Sequence, residues 1–267
     1  MEKLRDNLWI WGQDAGCHHS GAGLQWKIPG SNQMGPVEGA EYLGIRNCFR
    51  VVFEGKPVPP FDEETAKLTG FKQVVWSVMG DTSSCRNNDG ADDLDEVLRQ
   101  AEKYPNVTGG VLDDFFRGET GDARMTLERL KFVADRLHAA PRPLELWLVY
   151  YAALFEHDYS KYLELVDNVT FWSWDSAQLA KAAENLDRII AMTPGKRHYA
   201  GCYLYNYGDC CEMTDEEMQF QLDLYRKLWC EKKIDGIIVC SNTVADTGLK
   251  AVEIYRNWLD QYGDCCR

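Results

Sequence analysis

The sequence predicts a closed (β/α)8 barrel built as one domain over residues 1–267. Three observations carry that expectation. Apolar runs of strand length alternate with amphipathic helical patterns from end to end, and eight such runs are present. Successive runs end roughly 25–40 residues apart, the span of a strand–helix–strand crossover. No shift in composition divides the 267 residues, a length ordinary for one barrel. An open doubly wound sheet also alternates, but it wants a Gly-x-Gly-x-x-Gly turn after its first strand. Gly12-Gln13-Asp14-Ala15-Gly16-Cys17-His18 is not that turn, and the Walker phosphate loop is absent as well.

The expected strands cover residues 8–12, 48–53, 73–79, 108–113, 144–150, 168–174, 198–205 and 236–240. Each is short and nearly continuously apolar, as a strand buried on both faces must be. Between the first three strands Pro59-Pro60 marks a connection. After strand three, Asp92, Asp93 and Asp95 crowd a helix start, where the helix dipole favours acids. After strand four, Leu127, Leu130, Val133 or Ala134, and Leu137 fall on one helical face, and Pro141-Arg142-Pro143 ends that unit. Leu179, Leu186, Ile189 and Ile190 mark the helical stretch after strand six. Thr214-Asp215-Glu216-Glu217 is a capping box, in which hydroxyl and carboxylate each satisfy a free backbone donor. It opens a helix striped by Met218, Leu222, Tyr225 and Trp229, and the last helix carries Val252, Tyr255 and Leu259.

Composition narrows the partners. The net charge of −13 argues against nucleic acid and anionic membrane surfaces. No run reaches the roughly 18–20 apolar residues that cross a bilayer. The start, Met1-Glu2-Lys3-Leu4-Arg5-Asp6-Asn7, is too charged for a signal peptide, so a cytoplasmic setting is expected. Ten scattered cysteines without a CxxC pair read as reduced thiols. No organic cofactor and no metal site is indicated, and nothing in the sequence sets the oligomeric state.

In a barrel, function gathers at the C-terminal strand ends. The most informative of these is strand four, Gly109-Gly110-Val111-Leu112-Asp113-Asp114-Phe115-Phe116. An apolar strand runs straight into two adjacent carboxylates. Like charges side by side repel, and burial raises at least one pKa, which suits acid/base chemistry. The other ends offer Gln13 and Asp14 with His18 and His19; Glu54; Ser77 and Asp81; Tyr150 and Tyr151 with His157; Trp172, Trp174 and Asp175; Tyr203, Tyr205 and Asn206; and Ser241 and Asn242. This inventory is rich in carboxylates, amides and aromatics and poor in Lys and Arg. Amides and acids grip hydroxyls, and aromatic faces stack on sugar C–H surfaces while presenting a polar edge. A phosphate site would want Arg, Lys and a glycine-rich helix start instead. A small carbohydrate or glycoside is therefore the expected ligand, bound by Gln13, Asp14, Tyr150, Trp174, Tyr205, Asn206 and Asn242.

The chain resembles a (β/α)8-barrel glycoside hydrolase. Leu112-Asp113-Asp114-Phe115 is similar to the adjacent aspartate pair of the O-GlcNAcase (family 84) β-N-acetylglucosaminidases. That resemblance implies that Asp113 orients the substrate's acetamido group and that Asp114 is the general acid/base. A second resemblance, to α-galactosidase-like barrels, implies a nucleophilic aspartate at strand four and an acid at strand six. Asp175 in Phe171-Trp172-Ser173-Trp174-Asp175 would fill the latter role.

Plainer roles stand beside these. Asp175-Ser176-Ala177-Gln178 also reads as a helix cap, and Asn206 and Asn242 as turn amides. Alternation along a strand would send only one of Asp113 and Asp114 into the pore, with Asp114 the preferred one. Two other function classes fit a carbohydrate-lined barrel: a metal-dependent sugar isomerase or epimerase, and a non-catalytic binding barrel. EDTA sensitivity would mark the first, and binding without turnover the second.

Overall fold

The computed structural model describes residues 1–88 and 90–267 of the chain. Eight parallel strands close into a barrel: β1 (Leu8–Gly12), β2 (Asn47–Arg50), β3 (Gln73–Met79), β4 (Val107–Leu112), β5 (Glu145–Tyr151), β6 (Asn168–Trp172), β7 (Arg197–Tyr203) and β8 (Gly236–Cys240). Each pairs with its sequence neighbours, and β1 closes the ring on β8 through Ile10 opposite Val239. The (β/α)8 expectation holds. Strands β1, β3 and β8 start and end where the apolar runs do. The ends of β2, β4, β6 and β7 come earlier than expected, because residues just past them leave the ladder to build the mouth of the barrel.

Helices cover the outside: α1 (Pro36–Leu43), α2 (Asp62–Lys67), α3 (Leu94–Lys103), α4 (Leu127–His138), α5 (Ser160–Leu163), α6 (Ser176–Ala180), α7 (Ala182–Met192), α8 (Asp215–Cys230) and α9 (Lys250–Tyr262). The capping box at Thr214 forms as read, with Thr214 accepting from the Glu217 N–H and Glu217 accepting from the Thr214 N–H. Among the described residues no helix is long and apolar enough to cross a membrane.

The barrel is filled by rings. Trp9, Phe49, Trp147 and Tyr199 form one layer, with Trp147 and Tyr199 centroids 4.5 Å apart and Trp9 and Phe49 5.1 Å apart. Above them Trp172 lies 5.2 Å from Trp11 and 5.1 Å from Tyr203. Such wide side chains need narrow neighbours. A Cβ on Gly201 would fall 2.0 Å from the Trp172 ring, and one on Gly109 would fall 2.8 Å from Trp147 Nε1. Gly109 and Gly201 are thus space for indoles, and the aromatic column they admit leads up to the open mouth.

Two irregularities shape that mouth. The β3–β4 register slips once between Val74 and Val75 and again between Ser77 and Met79. A bulge of this kind adds twist and re-aims the residues beyond it. Immediately past β4, Asp114 adopts a left-handed backbone, φ 44°.

Candidate active site

The two aspartates owe their placement to that backbone. β4 ends at Leu112, and the Asp113 N–H still donates to Met79 O at 3.0 Å. The left-handed turn at Asp114 then breaks strand alternation. Both side chains consequently reach the same cavity, where alternation would have sent one. Phe115 is fully buried and Phe116 stacks on Tyr159 with centroids 3.7 Å apart, which anchors the segment just past the acids. A short hairpin, Phe116–Arg117 against Asp122–Ala123, then returns the chain beneath them and delivers Arg124.

The cavity at the C-terminal mouth has a volume of about 710 Å³, within the range of small-molecule sites. One side carries Asp81, Asp113 and Asp114. Facing rings include Trp11, Trp26, Trp172, Trp174, Tyr203 and Tyr207. Trp174 stacks on Tyr207 at 28° and meets Tyr203 nearly edge-on at 83°.

The acids sit in an electrostatic conflict. Burial first, then the charges of Asp114 and Asp81, pushes Asp113 well above the usual carboxylate range, and Arg124 opposes the shift. Asp114 is also raised, by burial and by Asp81, but three donors favour its charged form. These are the Thr82 N–H at 3.3 Å, the Thr82 hydroxyl at 3.4 Å and the Tyr151 hydroxyl at 3.3 Å. Asp81 accepts from the Ser83 and Ser84 hydroxyls at 2.5 and 2.7 Å. Of these two adjacent acids, Asp113 is raised further and Asp114 has more donors on its carboxylate, so Asp113 holds its proton to higher pH than Asp114 does.

Of the residues singled out from sequence, Asp113, Asp114, Gln13 and Trp174 line the cavity. The others do not, and each has another partner. Asp14 forms an ion pair with buried Arg50, which also holds Glu64 at 3.1 Å. Tyr150 turns to the helical side, its ring 5.4 Å from Phe155 and its hydroxyl donating to Leu154 O at 3.2 Å. Asp175 caps α6: one oxygen accepts from the Gln178 N–H at 2.8 Å and the other from its side-chain amide at 2.9 Å. The Tyr205 hydroxyl donates to Trp26 O at 2.8 Å and pins the loop carrying that indole. Asn206 closes its own turn through Asp209 and Ser176. Asn242 joins β1 to β8 by accepting from the Gln13 N–H at 2.8 Å and donating to Gln13 O at 2.9 Å.

Five further wall residues, Asp81, Tyr151, Tyr203, Trp172 and His18, stand at strand ends in the sequence without a role that the sequence assigns. Trp11, Trp26 and Tyr207 also line the wall, and no sequence pattern singles them out. The inward parity of β5 is the missing fact: Trp147 points into the barrel, so Tyr151 does and Tyr150 does not. Trp26 and Tyr207 come from loops, where no periodicity reports direction.

Among the described residues, no three His, Cys, Asp or Glu side chains converge in a way that could hold a metal ion. Neither the known family models nor the curated protein sequences match this chain. Solved structures do match it. Active domain 2 of a chitinase from Pyrococcus furiosus aligns with 97% of each chain, at 11% identity and a TM-score of 0.59. A chitinase from Bacteroides thetaiotaomicron covers 98% of this chain and 99% of its own at 9% identity, TM-score 0.55. A GH113 β-1,4-mannanase covers 97% and 99% at 13% identity, TM-score 0.53. At such identities the likeness shows the fold: this chain is a (β/α)8 barrel like those of TIM-barrel glycoside hydrolases.

Proposed function

We propose that the protein hydrolyses glycosidic bonds, with Asp113 and Asp114 as its proton-transfer pair. The observation that carries this reading is the pair itself: two adjacent acids, both raised in pKa, side by side on the wall of an aromatic-lined cavity. Glycoside cleavage needs a proton for the departing oxygen and a negative group for the positive charge growing at the anomeric carbon. The three donors on Asp114 favour its carboxylate, and burial beside Asp114 and Asp81 raises Asp113 further, so Asp113 is the better proton carrier of the two. Asp113 then protonates the leaving oxygen, and Asp114 stabilises or orients the group that attacks. The O-GlcNAcase resemblance implies the opposite division of labour. The two assignments give different mutants.

The test is hydrolysis of an aryl-glycoside panel of N-acetylhexosaminides and α- and β-hexosides by wild type, Asp113→Asn and Asp114→Asn, each with and without EDTA. Loss of the acid slows poor leaving groups by about 10²-fold or more and spares good ones. Loss of its partner slows both. Asp113→Asn is expected to show the first pattern. Asp114→Asn showing it instead reverses the roles. Wild-type turnover unchanged in both variants ends the proposal.

A further inference from the structure

Resting on the hydrolase reading, a third acid at the mouth acquires a role. Asp81 lies just past β3 and lines the cavity with Asp113 and Asp114. Its carboxylate is fixed at both oxygens. One accepts from the Ser83 hydroxyl at 2.5 Å and from the Ser83 N–H at 3.2 Å, and the other accepts from the Ser84 hydroxyl at 2.7 Å. Those hydroxyls are anchored in turn. Ser83 accepts from the Glu54 N–H and Ser84 from the Gly55 N–H, each at 3.0 Å. The Asp81 main chain is held as well: its N–H donates to Val52 O at 3.3 Å, and its carbonyl accepts from Arg124 at 3.2 Å. A charge pinned in this way is a preorganised part of the site.

The same turn carries Thr82, whose N–H and hydroxyl reach Asp114 at 3.3 and 3.4 Å. Bonds of that length are lost when the turn loosens slightly. Asp81 therefore acts on the pair in two opposite ways. Its charge disfavours further charge nearby and keeps protons on both Asp113 and Asp114. Its turn supplies donors that favour the Asp114 carboxylate alone. Together they set Asp113 above Asp114, the separation that a proton donor and its charged partner need. A residue that only closed the turn could as well be Asn, whose side-chain oxygen also accepts from a hydroxyl.

We propose that Asp81 is a positioning residue for the acidic pair, holding Thr82 against Asp114 and fixing a negative charge beside Asp113. Among the described residues, the other titratable groups around the pair are Arg124, Tyr151, Tyr203 and Cys240, with Arg117 and Glu119 exposed at the rim. Burial raises the two phenols and the thiol, so they are uncharged near pH 7. Asp81→Asn removes the charge and keeps an acceptor for the turn, whereas Asp81→Ala removes both. The readouts are the carboxyl-carbon NMR titrations of Asp113 and Asp114, which need no turnover, and kcat/KM against pH on the best aryl glycoside. In Asp81→Asn both acids should titrate at lower pH than in wild type, and both limbs of the rate profile should move down with them. In Asp81→Ala, Asp114 should titrate above its position in Asp81→Asn, and kcat/KM should fall about tenfold further, the worth of a hydrogen bond to a charged group. Thr82→Ala, at an exposed position, decides the matter if both Asp81 variants misfold: it should raise Asp114. Asp81→Asn titrations that match wild type, an Asp114 titration equal in Asp81→Asn and Asp81→Ala, or an Asp114 unmoved by Thr82→Ala overturns the inference. Shifted titrations without turnover sink hydrolysis alone. Turnover with unshifted titrations sinks this inference alone.

Discussion

The guanidinium of Arg124 donates to the main-chain carbonyl of Asp113 at 3.0 Å. The same group reaches Gly80 O at 2.6 Å, Asp81 O at 3.2 Å and Asp114 O at 3.4 Å. One buried cation therefore ties the ends of β3 and β4 together while lowering the pKa of both acids. It arrives there only because a hairpin, not a helix, comes directly after β4.

Removing that cation has two separable effects. Arg124→Gln strands several buried carbonyls and should cost about 2–4 kcal/mol of stability. It also removes the charge that opposes protonation, so the acidic limb of the rate profile should move to higher pH. Arg124→Lys keeps the charge and loses the fork, so it should destabilise with a smaller movement of the limb. Thermal melts and kcat/KM against pH check both. A limb unmoved in Arg124→Gln means that Arg124 acts on structure alone.

The raised acids should themselves weaken the fold at neutral pH. An acid whose folded pKa lies above its unfolded value binds more protons when folded. Stability then falls as pH rises from near 4 through the folded pKa, and stays low above it. Asp113→Asn removes the stronger of the two shifts. It should raise Tm by about 2–6 °C at pH 8. The gain should vanish at pH ~2.5, more than a unit below the unfolded pKa, where the wild-type acid is protonated in both states. A gain that persists at low pH would assign it to packing and not to the charge.

Asp175 separates the cap role from the catalytic one. Its two oxygens are both taken by Gln178. Asp175→Ala should cost about 1 kcal/mol of stability, the ordinary worth of a helix cap. Turnover of the best aryl glycoside should stay within a few-fold of wild type. A loss of 10³-fold or more with the fold intact would restore Asp175 as a second catalytic carboxyl.

The barrel was legible because its cause is periodic. Strand-length apolar runs and capped helical stripes repeat along the chain, and eight of them without a Gly-x-Gly-x-x-Gly turn after the first favour a closed sheet. The acidic pair was legible because Asp113-Asp114 breaks what a strand end should look like. Parity was not legible. A strand buried on both faces, such as Glu145–Tyr151, gives no polar alternation to show which side chain turns inward. Hydrogen-bond commitments were equally hidden. Asn206, Asn242 and Asp14 have the chemistry to bind a sugar, and only their neighbours in space show that it is already engaged. The left-handed turn at Asp114 left no sequence signal, since nothing in a single Asp-Asp-Phe announces a positive φ.

Two adjacent tyrosines give the sharpest test of that parity. The Tyr151 hydroxyl donates to Asp114 at 3.3 Å, and burial raises its pKa well above the usual phenol range, so it stays a donor. The Tyr150 hydroxyl donates instead to Leu154 O among the helices. Tyr151→Phe keeps the ring against Trp174 and removes one of the bonds that favour the Asp114 carboxylate. It should lower kcat/KM about tenfold, raise the acidic limb of the pH profile and change stability little. Tyr150→Phe should do the reverse, costing about 1 kcal/mol of stability with kcat/KM and its pH profile unchanged. Steady-state kinetics and melts on the two variants decide it. If Tyr150→Phe proves the more damaging to turnover, the inward face of β5 is the other one, and the donors assigned to Asp114 must be redrawn.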